Sequence, residues 1–150
     1  MINISVFSEG VRFPYKKITR KGLGSLAAEV AKRAGLDNVS ITLIATDNES
    51  IRGINRRYRK KNRPTDVISF ANRDGGFPEI DSPVEDLGDI YISLEKAGEQ
   101  AGEFGVTLAD EVKRLVIHGV LHLAGYDHEK GPKQAVVMEK KEQELFDSLG

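Results

Sequence analysis

The chain has 150 residues, of which 39% are hydrophobic and 30% are charged, and its net charge is -1. This composition is typical of one soluble globular domain that is long enough to fold unaided. No apolar run approaches the roughly 20 residues of a membrane-spanning helix, and the first residues lack a signal peptide's basic start and apolar core. Without cysteine, disulfides and thiolate metal ligands are excluded. We therefore expect a single domain over residues 1–150, located in the cytoplasm and without a membrane partner.

The first half of the chain predicts two strands and two helices. Residues 2–7 alternate apolar and polar side chains, which indicates a strand. Apolar residues at helical spacing predict a helix over about residues 15–34. The β-branched, alternating residues 39–45 predict the second strand. Asp47 or Asn48 would then cap a second helix that ends near a basic segment.

The second half predicts two more strands and three more helices. Strands are predicted at residues 66–72 and 87–93, separated by a long polar loop with two glycines and two prolines. A helix follows the second of these strands through about residue 103. Thr107 begins a TLAD capping box that opens a mainly apolar helix, and the last helix covers about residues 133–149. Elements mixed in this way predict an α/β or α+β layer structure, and we expect α+β: a small mixed sheet of about four strands with helices packed on it.

All three histidines of the chain lie within the eleven residues HGVLHLAGYDH. His118 and His122 are four residues apart on the predicted apolar helix, so their side chains share one face. Gly125 can adopt the left-handed conformation that ends a helix, which would bring His128 back towards the other two. Three neutral imidazoles hold zinc with one coordination position open, as in catalytic sites. The spacing therefore predicts a metal-binding helix near the C-terminal third, the alternative being three unrelated histidines.

The same spacing occurs in metzincin peptidases, whose motif is HExxHxxGxxH. The glutamate that serves those enzymes as general base is replaced here by Gly119, which cannot accept a proton. The pattern therefore indicates a metal site but argues against peptide hydrolysis.

Three segments together resemble a known family. HGVLHLAGYDH closely resembles the HGxLHLxGYDH signature of the YbeY family of bacterial endoribonucleases. YRKKNRPTDVISF (residues 58–70) and LGDIYIS (residues 87–93) resemble two further blocks of that family. The blocks occur in family order, so the resemblance spans nearly the whole chain.

The resemblance implies a zinc-dependent endoribonuclease that is specific for single strands. Its expected role is ribosomal RNA maturation, including processing of the small-subunit RNA 3′ end, and ribosome quality control. Expected partners are single-stranded ribosomal RNA, the small ribosomal subunit and assembly factors. The family's ligands for one zinc ion per chain carry over to His118, His122 and His128, and its functional arginine carries over to Arg59.

A basic segment precedes the third predicted strand. Residues 52–63 carry seven basic side chains and no acid, whereas residues 74–111 carry eleven acids and one lysine. Arg59 beside a metal would suit phosphoryl transfer, because both stabilise charge that develops on a phosphate, and arginine can contact it bidentately. The remaining basic residues either bind the RNA backbone or form a solvated face balanced by acids. The candidates for RNA binding are Arg56, Arg57, Lys60, Lys61 and Arg63.

Several roles stay open in the sequence. Tyr58 could stack on a base, but core packing is the stronger expectation. Asp127 and Asp89 are candidates for the general base, although Asp127 could instead orient a metal ligand. Thr65 and Asp66 could position the third strand. The attacking group could be water or the RNA 2′-hydroxyl, and the oligomeric state is not predicted.

Two other classes of function compete with the nuclease. One is a ribosome-assembly binding factor with a largely structural zinc, and the other is a metal-dependent hydrolase of another class. In each case we expect the metal-binding helix to lie across the sheet, beside the loop that carries Arg59.

Overall fold

The computed structural model describes residues 1–75 and 83–149. Within them the chain forms four strands and five α-helices, with one short 3₁₀ helix at Asn72–Gly75. In chain order these are β1 (Ile2–Glu9), α1 (Arg20–Arg33), β2 (Val39–Thr46), α2 (Asn48–Arg59), β3 (Val67–Ala71), β4 (Glu85–Ser93), α3 (Leu94–Phe104), α4 (Leu108–Leu123) and α5 (Pro132–Ser148).

The four strands form one mixed sheet in the order β1-β2-β4-β3. β1, β2 and β4 run parallel, and β3 pairs antiparallel with β4. The predicted α+β fold with a small mixed sheet and packed helices is confirmed. β3 is an edge strand, so one side of its backbone faces no other strand in the described part of the chain.

The two faces of the sheet differ in what covers them. In β2, Val39, Ile41, Leu43 and Ala45 point to one face, where they are buried in a core with side chains of α1, α3, α4 and α5. On the opposite face of β1, alternate residues from Asn3 to Glu9 are exposed. The helices therefore pack mainly on one face, as expected for half-buried strands.

Helix α4 packs directly on the sheet at Gly119. A Cβ atom built on this glycine would lie 2.7 Å from Cγ2 of Ile90 in β4. Any side chain at position 119 would therefore be directed into the sheet. The expectation that this helix lies across the sheet is confirmed. The same close packing explains why glycine rather than the peptidase glutamate occupies position 119, since the glutamate side chain would clash with Ile90.

The start of α1 was predicted too early. Tyr15 and Ile18 pair through two backbone hydrogen bonds of 2.9 and 2.7 Å, and Lys16 and Lys17 between them have positive φ angles. This tight turn excludes a helix that starts near residue 15. Thr19 then caps the helix, since its side chain accepts a hydrogen bond from the Gly22 N–H.

The remaining boundaries agree to within a few residues. Asp47 caps α2 and Thr107 caps α4, as predicted. β4 begins at Glu85, two residues before the predicted start at residue 87. Residues 76–82 of the predicted polar loop lie outside the described residues. Among the helices that the structure describes, none is long and apolar enough to cross a membrane.

Candidate functional site

The three histidines meet where α4 ends. The N–H of Gly125 donates to the His122 carbonyl at 3.0 Å, and the N–H of Tyr126 donates to the Leu121 carbonyl at 3.0 Å. These two bonds form a Schellman motif, in which Gly125 takes the required positive φ of 109°. The chain reverses there, and the ring centroids of His118 and His128 lie 5.1 Å apart.

A cleft of about 230 Å³ runs beside the edge strand β3. β3 contributes four consecutive residues to its lining, from Val67 to Phe70. Arg59, the last residue of α2, lines the cleft together with the three histidines, and Oε1 of Glu129 lies 3.5 Å from Nη2 of Arg59 and 3.9 Å from Nε2 of His128. Arg59 therefore belongs to a helix end rather than to the following loop, which corrects the expected position. The remaining lining residues are Asp127 and Glu129.

His122 contacts two polar side chains. Its Nδ1 forms a short hydrogen bond with the Ser69 hydroxyl of β3, and its Nε2 lies 3.3 Å from the Asp74 carboxylate. Ser69 faces α4 because it pairs with Ile90, the residue that contacts Gly119. The ring of His122 is thus held between β3 and the 3₁₀ helix that follows it.

The other two histidines each lie near a glutamate. Nδ1 of His118 is 3.4 Å from Oε1 of Glu142, which lies on α5, and both side chains are mostly buried. Nε2 of His128 is 3.9 Å from Oε1 of Glu129, and both side chains are largely exposed. A carboxylate beside a ring nitrogen fixes the orientation of an imidazole and so leaves its other nitrogen available to a ligand.

The donor set fits a divalent metal ion such as zinc. Three imidazoles line one cleft, and nitrogen ligands suit zinc, copper, nickel and iron. Within residues 1–75 and 83–149, no three histidine, aspartate or glutamate side chains are already arranged to hold a metal ion. The side chains of His118, His122 and His128 are 23%, 25% and 51% exposed, and the rings would have to reorient to share one ion.

Arg59 has only a weak partner at the cleft. Its Nη2 lies 3.5 Å from Oε1 of Glu129, and the two side chains are 37% and 65% exposed. An ion pair of this length in contact with solvent contributes little stability. The guanidinium is therefore available to an anion that enters the cleft.

The other basic candidates form an exposed surface around the end of α2, outside the lining of the cleft. In the described part of the chain none of them is in an ion pair with a carboxylate. They are Arg56, Arg57, Lys60, Lys61 and Arg63.

Tyr58 is not a core residue, so the expectation of core packing is wrong. Its side chain is 60% exposed and contacts Phe70 of β3 edge to face, with the ring centroids 5.2 Å apart. The last turn of α2 lies over β3, the edge strand of the sheet. The sheet surface at this edge is too small to bury a tyrosine side chain.

The structure separates the two candidates for a general base. Asp127 lines the cleft, and its Oδ1 accepts a hydrogen bond of 2.8 Å from the Glu129 N–H. Asp89 pairs with Phe70 on the sheet face opposite α4 and does not line the cleft. Burial and the neighbouring Asp86 carboxylate raise the pKa of Asp89. Asp127 alone lies with the histidines.

Thr65 and Asp66 contact other parts of the fold rather than the cleft. The Asp66 carboxylate accepts hydrogen bonds from the Val67 N–H at 2.8 Å and from Gln100 at 3.2 Å, and the Thr65 hydroxyl donates to it at 3.4 Å. These bonds fix the start of β3, which agrees with the positioning role considered for both residues.

Four polar residues near the histidines escaped the sequence analysis: Ser69, Asp74, Glu129 and Glu142. Glu142 approaches His118 from another helix, so no local spacing signals it. Ser69 could have been found from the sequence, since successive side chains of a strand point to opposite faces and Ser69 therefore points away from the face of Phe70.

Comparison with known proteins gives one consistent family. The sequence model described as "Endoribonuclease YbeY" matches residues 7–150. A protein of Sulfurihydrogenibium named endoribonuclease YbeY is 42% identical over 149 residues, covering 99% of this chain and 91% of the relative. A protein of Aquifex aeolicus with the same name is 41% identical over 137 residues, covering 90% and 84%. A solution structure of the Thermotoga maritima protein TM1509 superposes with a TM-score of 0.64 at 31% identity, covering 96% of this chain and 87% of the other.

Proposed function

The chain belongs to the endoribonuclease YbeY family, consistent with a function in ribosomal RNA maturation, and we propose that it is a zinc-dependent endoribonuclease that cleaves single-stranded ribosomal RNA. The proposal includes processing at the 3′ end of the small-subunit RNA and ribosome quality control in the cytoplasm, with the small ribosomal subunit and assembly factors as partners. The observation that carries it is the meeting of three histidines and one arginine in a single cleft.

His118, His122 and His128 would hold the metal. When bound there, zinc supplies a Lewis acid beside the phosphate. Glu142 and Ser69 orient two of the three rings through their Nδ1 atoms, so those rings present their Nε2 atoms as ligands. For His122 this requires the Asp74 carboxylate, now 3.3 Å from Nε2, to move aside or to share the ion.

Arg59 would bind the phosphate that is cleaved. Its guanidinium lines the same cleft as the histidines, and its weak pairing with Glu129 can be exchanged for phosphate oxygens. Two parallel N–H bonds would stabilise the negative charge that grows on those oxygens as the attacking group approaches.

The exposed basic residues around the end of α2, which form no ion pair within the described part of the chain, would bind flanking phosphates of the RNA. Such contacts release counterions, so binding should weaken as salt rises. Because these side chains are exposed and outside the cleft, they would contribute to affinity rather than to the chemical step.

Of the two carboxylates considered for moving a proton, Asp127 is the better candidate, since it lines the cleft and Asp89 does not. If the neighbouring 2′-hydroxyl attacks the phosphorus, the bond from phosphorus to the 5′-oxygen breaks, so that one fragment ends in a 2′,3′-cyclic phosphate and the other begins with a 5′-hydroxyl. If water attacks, a bond from phosphorus to the 3′- or the 5′-oxygen breaks, so that one fragment carries an open phosphate and the other a hydroxyl. Mass spectrometry of the fragments distinguishes the two routes.

The test is cleavage of single-stranded ribosomal RNA by metal-stripped protein, by zinc-restored protein and by a His118→Ala variant. We expect cleavage only by the zinc-restored protein with His118, while circular dichroism shows the same fold in all samples. If zinc removal or His118→Ala unfolds the chain, the assembly-factor alternative with a structural metal is favoured. If folded, zinc-loaded protein binds RNA but cleaves none, the nuclease proposal is wrong.

A further inference from the structure

We propose that the exposed ring of Tyr58, supported edge to face by Phe70, is a stacking platform for one nucleobase of single-stranded RNA, beside the phosphate held by Arg59. This inference rests on the proposed function and adds a base-binding subsite to it. A subsite of this kind would prefer single strands, since the bases of a duplex are already stacked on one another.

The two rings lie at the edge of the cleft. Phe70 is one of its lining residues, together with His118 and His122. Tyr58 contacts Phe70 at a centroid distance of 5.2 Å and an interplanar angle of 69°, and it directly precedes Arg59. A base on these rings would therefore be attached to a phosphate within reach of Arg59.

A third ring supports the platform from behind. Phe70 contacts Tyr91 of β4 edge to face, with centroids 5.9 Å apart and an interplanar angle of 86°. The two residues are diagonal neighbours on one face of the sheet, because Phe70 pairs with Asp89 and Tyr91 pairs with Ile68. Phe70 is thus packed between Tyr58 and Tyr91 and supports the Tyr58 ring, so a base stacked on Tyr58 would meet a surface that is already ordered.

The charges around Tyr58 indicate which ligand fits. The Arg57 guanidinium lies 6.0 Å from the centre of its ring, and the exposed residues Arg56 and Lys60 are also close in the chain. An exposed aromatic ring among exposed cations matches a ligand with a flat base and an anionic backbone.

Phe104 provides the contrast. Its side chain is also 60% exposed, but it ends α3 next to Glu103 and lies outside the cleft lining. Phe104 is exposed to the same fraction as Tyr58 but is not surrounded by basic residues. Phe104→Ala is therefore the matched control for Tyr58→Ala.

The experiment measures binding of a fluorescent single-stranded ribosomal RNA fragment by anisotropy, together with cleavage kinetics, in zinc-loaded protein. Tyr58→Ala should weaken binding about 5- to 150-fold, the range for loss of one base–aromatic stack, and should raise KM more than it lowers kcat. Tyr58→Phe should restore binding because it keeps the ring. Phe104→Ala should bind like the unchanged protein.

A second readout uses RNA in which one base at a time is removed while the backbone is kept. One abasic position should weaken binding to the unchanged protein as strongly as Tyr58→Ala does, and it should cause no further loss in that variant. The platform is wrong if Tyr58→Ala binds the RNA as well as Phe104→Ala does. It is also wrong if the losses of binding free energy caused by Tyr58→Ala and by the abasic position add at every position tested. If the unchanged protein neither binds nor cleaves single-stranded RNA, the proposed function fails and the platform fails with it.

Discussion

Arg59 ends α2 at the cleft, where its guanidinium lies 3.5 Å from the Glu129 carboxylate. A lysine at this position would keep the charge but could not make two parallel bonds to a phosphate. We expect Arg59→Lys to lower kcat/KM for RNA cleavage by about 10- to 100-fold and Arg59→Glu by at least 10³-fold, in line with the loss of an electrostatic contact to the transition state.

Arg52→Lys is the control for this prediction, because Arg52 is exposed on the same helix but does not line the cleft. Its cleavage kinetics should match those of the unchanged protein. If Arg59→Glu cleaved RNA normally, the role assigned to Arg59 would have to be withdrawn.

Glu142 lies beside His118 although the two residues come from different helices. The 3.4 Å contact between its carboxylate and Nδ1 of His118 involves two mostly buried side chains, so water competes little for it. We expect Glu142→Gln to weaken zinc binding about 10- to 100-fold, the usual cost of losing a group that orients a metal ligand. Competition with a chromophoric chelator measures this affinity without any assay of cleavage.

Glu144→Gln on the same helix provides the matched change, since Glu144 is exposed and has no described contact with a histidine. Equal zinc affinities of the two variants would contradict the orienting role of Glu142.

At the scale of elements, the distance between α4 and the sheet depends on Gly119. An added Cβ would lie 2.7, 3.1 and 3.2 Å from three side-chain carbons of Ile90. Gly119→Ala should therefore lower the free energy of unfolding by about 1–3 kcal/mol, the cost of overpacking a filled core. Thermal unfolding measures the change.

Gly98→Ala in α3 tests the same substitution where there is room. A Cβ at Gly98 would meet no atom within 4 Å, and alanine is favoured over glycine inside a helix. This variant should be unchanged or up to about 1 kcal/mol more stable. If Gly119→Ala were also neutral, the close packing of α4 on β4 would not constrain the site.

How far the sequence predicts each element depends on how local its cause is. The periodic apolar residues of α4 and the glycine after it were sufficient to place His118 and His122 on one face and to predict the reversal towards His128. The start of α1 was wrong because the Tyr15–Ile18 turn has no repeating pattern. Tyr58 was misassigned because burial near the end of α2 depends on where the sheet stops, which helical spacing does not show.

Contacts between distant segments were beyond sequence reasoning for the same reason. Glu142 meets His118 only because α5 packs on α4, and Ser69 meets His122 only because β3 lies under the end of α4. A single sequence without a template does not specify which elements pack together. It does supply the reactive side chains, and the fold then supplies their partners.

At the scale of the whole molecule, the cleft lies at the edge of the sheet and away from the centre of the core. α2 ends on one side of the edge strand, and α4 ends on the other. The apolar core joins the sheet to α1, α3, α4 and α5, and none of the three histidines belongs to it. The site is therefore assembled on a scaffold that is packed independently of it.

This separation predicts that the protein folds without the proposed zinc ion. The core is apolar, whereas the histidine side chains are 23%, 25% and 51% exposed. Removing the metal, or replacing a histidine with alanine, should therefore leave the packing of the core unchanged. Chelator-treated protein and His118→Ala should keep the circular dichroism spectrum of the unchanged protein and should unfold cooperatively.

Zinc should then stabilise the unchanged protein only through binding to the folded state. At a free zinc concentration 1,000 times Kd this stabilisation is about 4 kcal/mol, which raises Tm by roughly 8–16 °C in a chain of this size. His118→Ala should lose most of that shift, although its metal-free Tm stays near that of the unchanged protein. Loss of cooperative unfolding on chelation would instead mean that the metal is structural. The basic surface around α2 would then serve RNA binding without the chemistry proposed for the cleft.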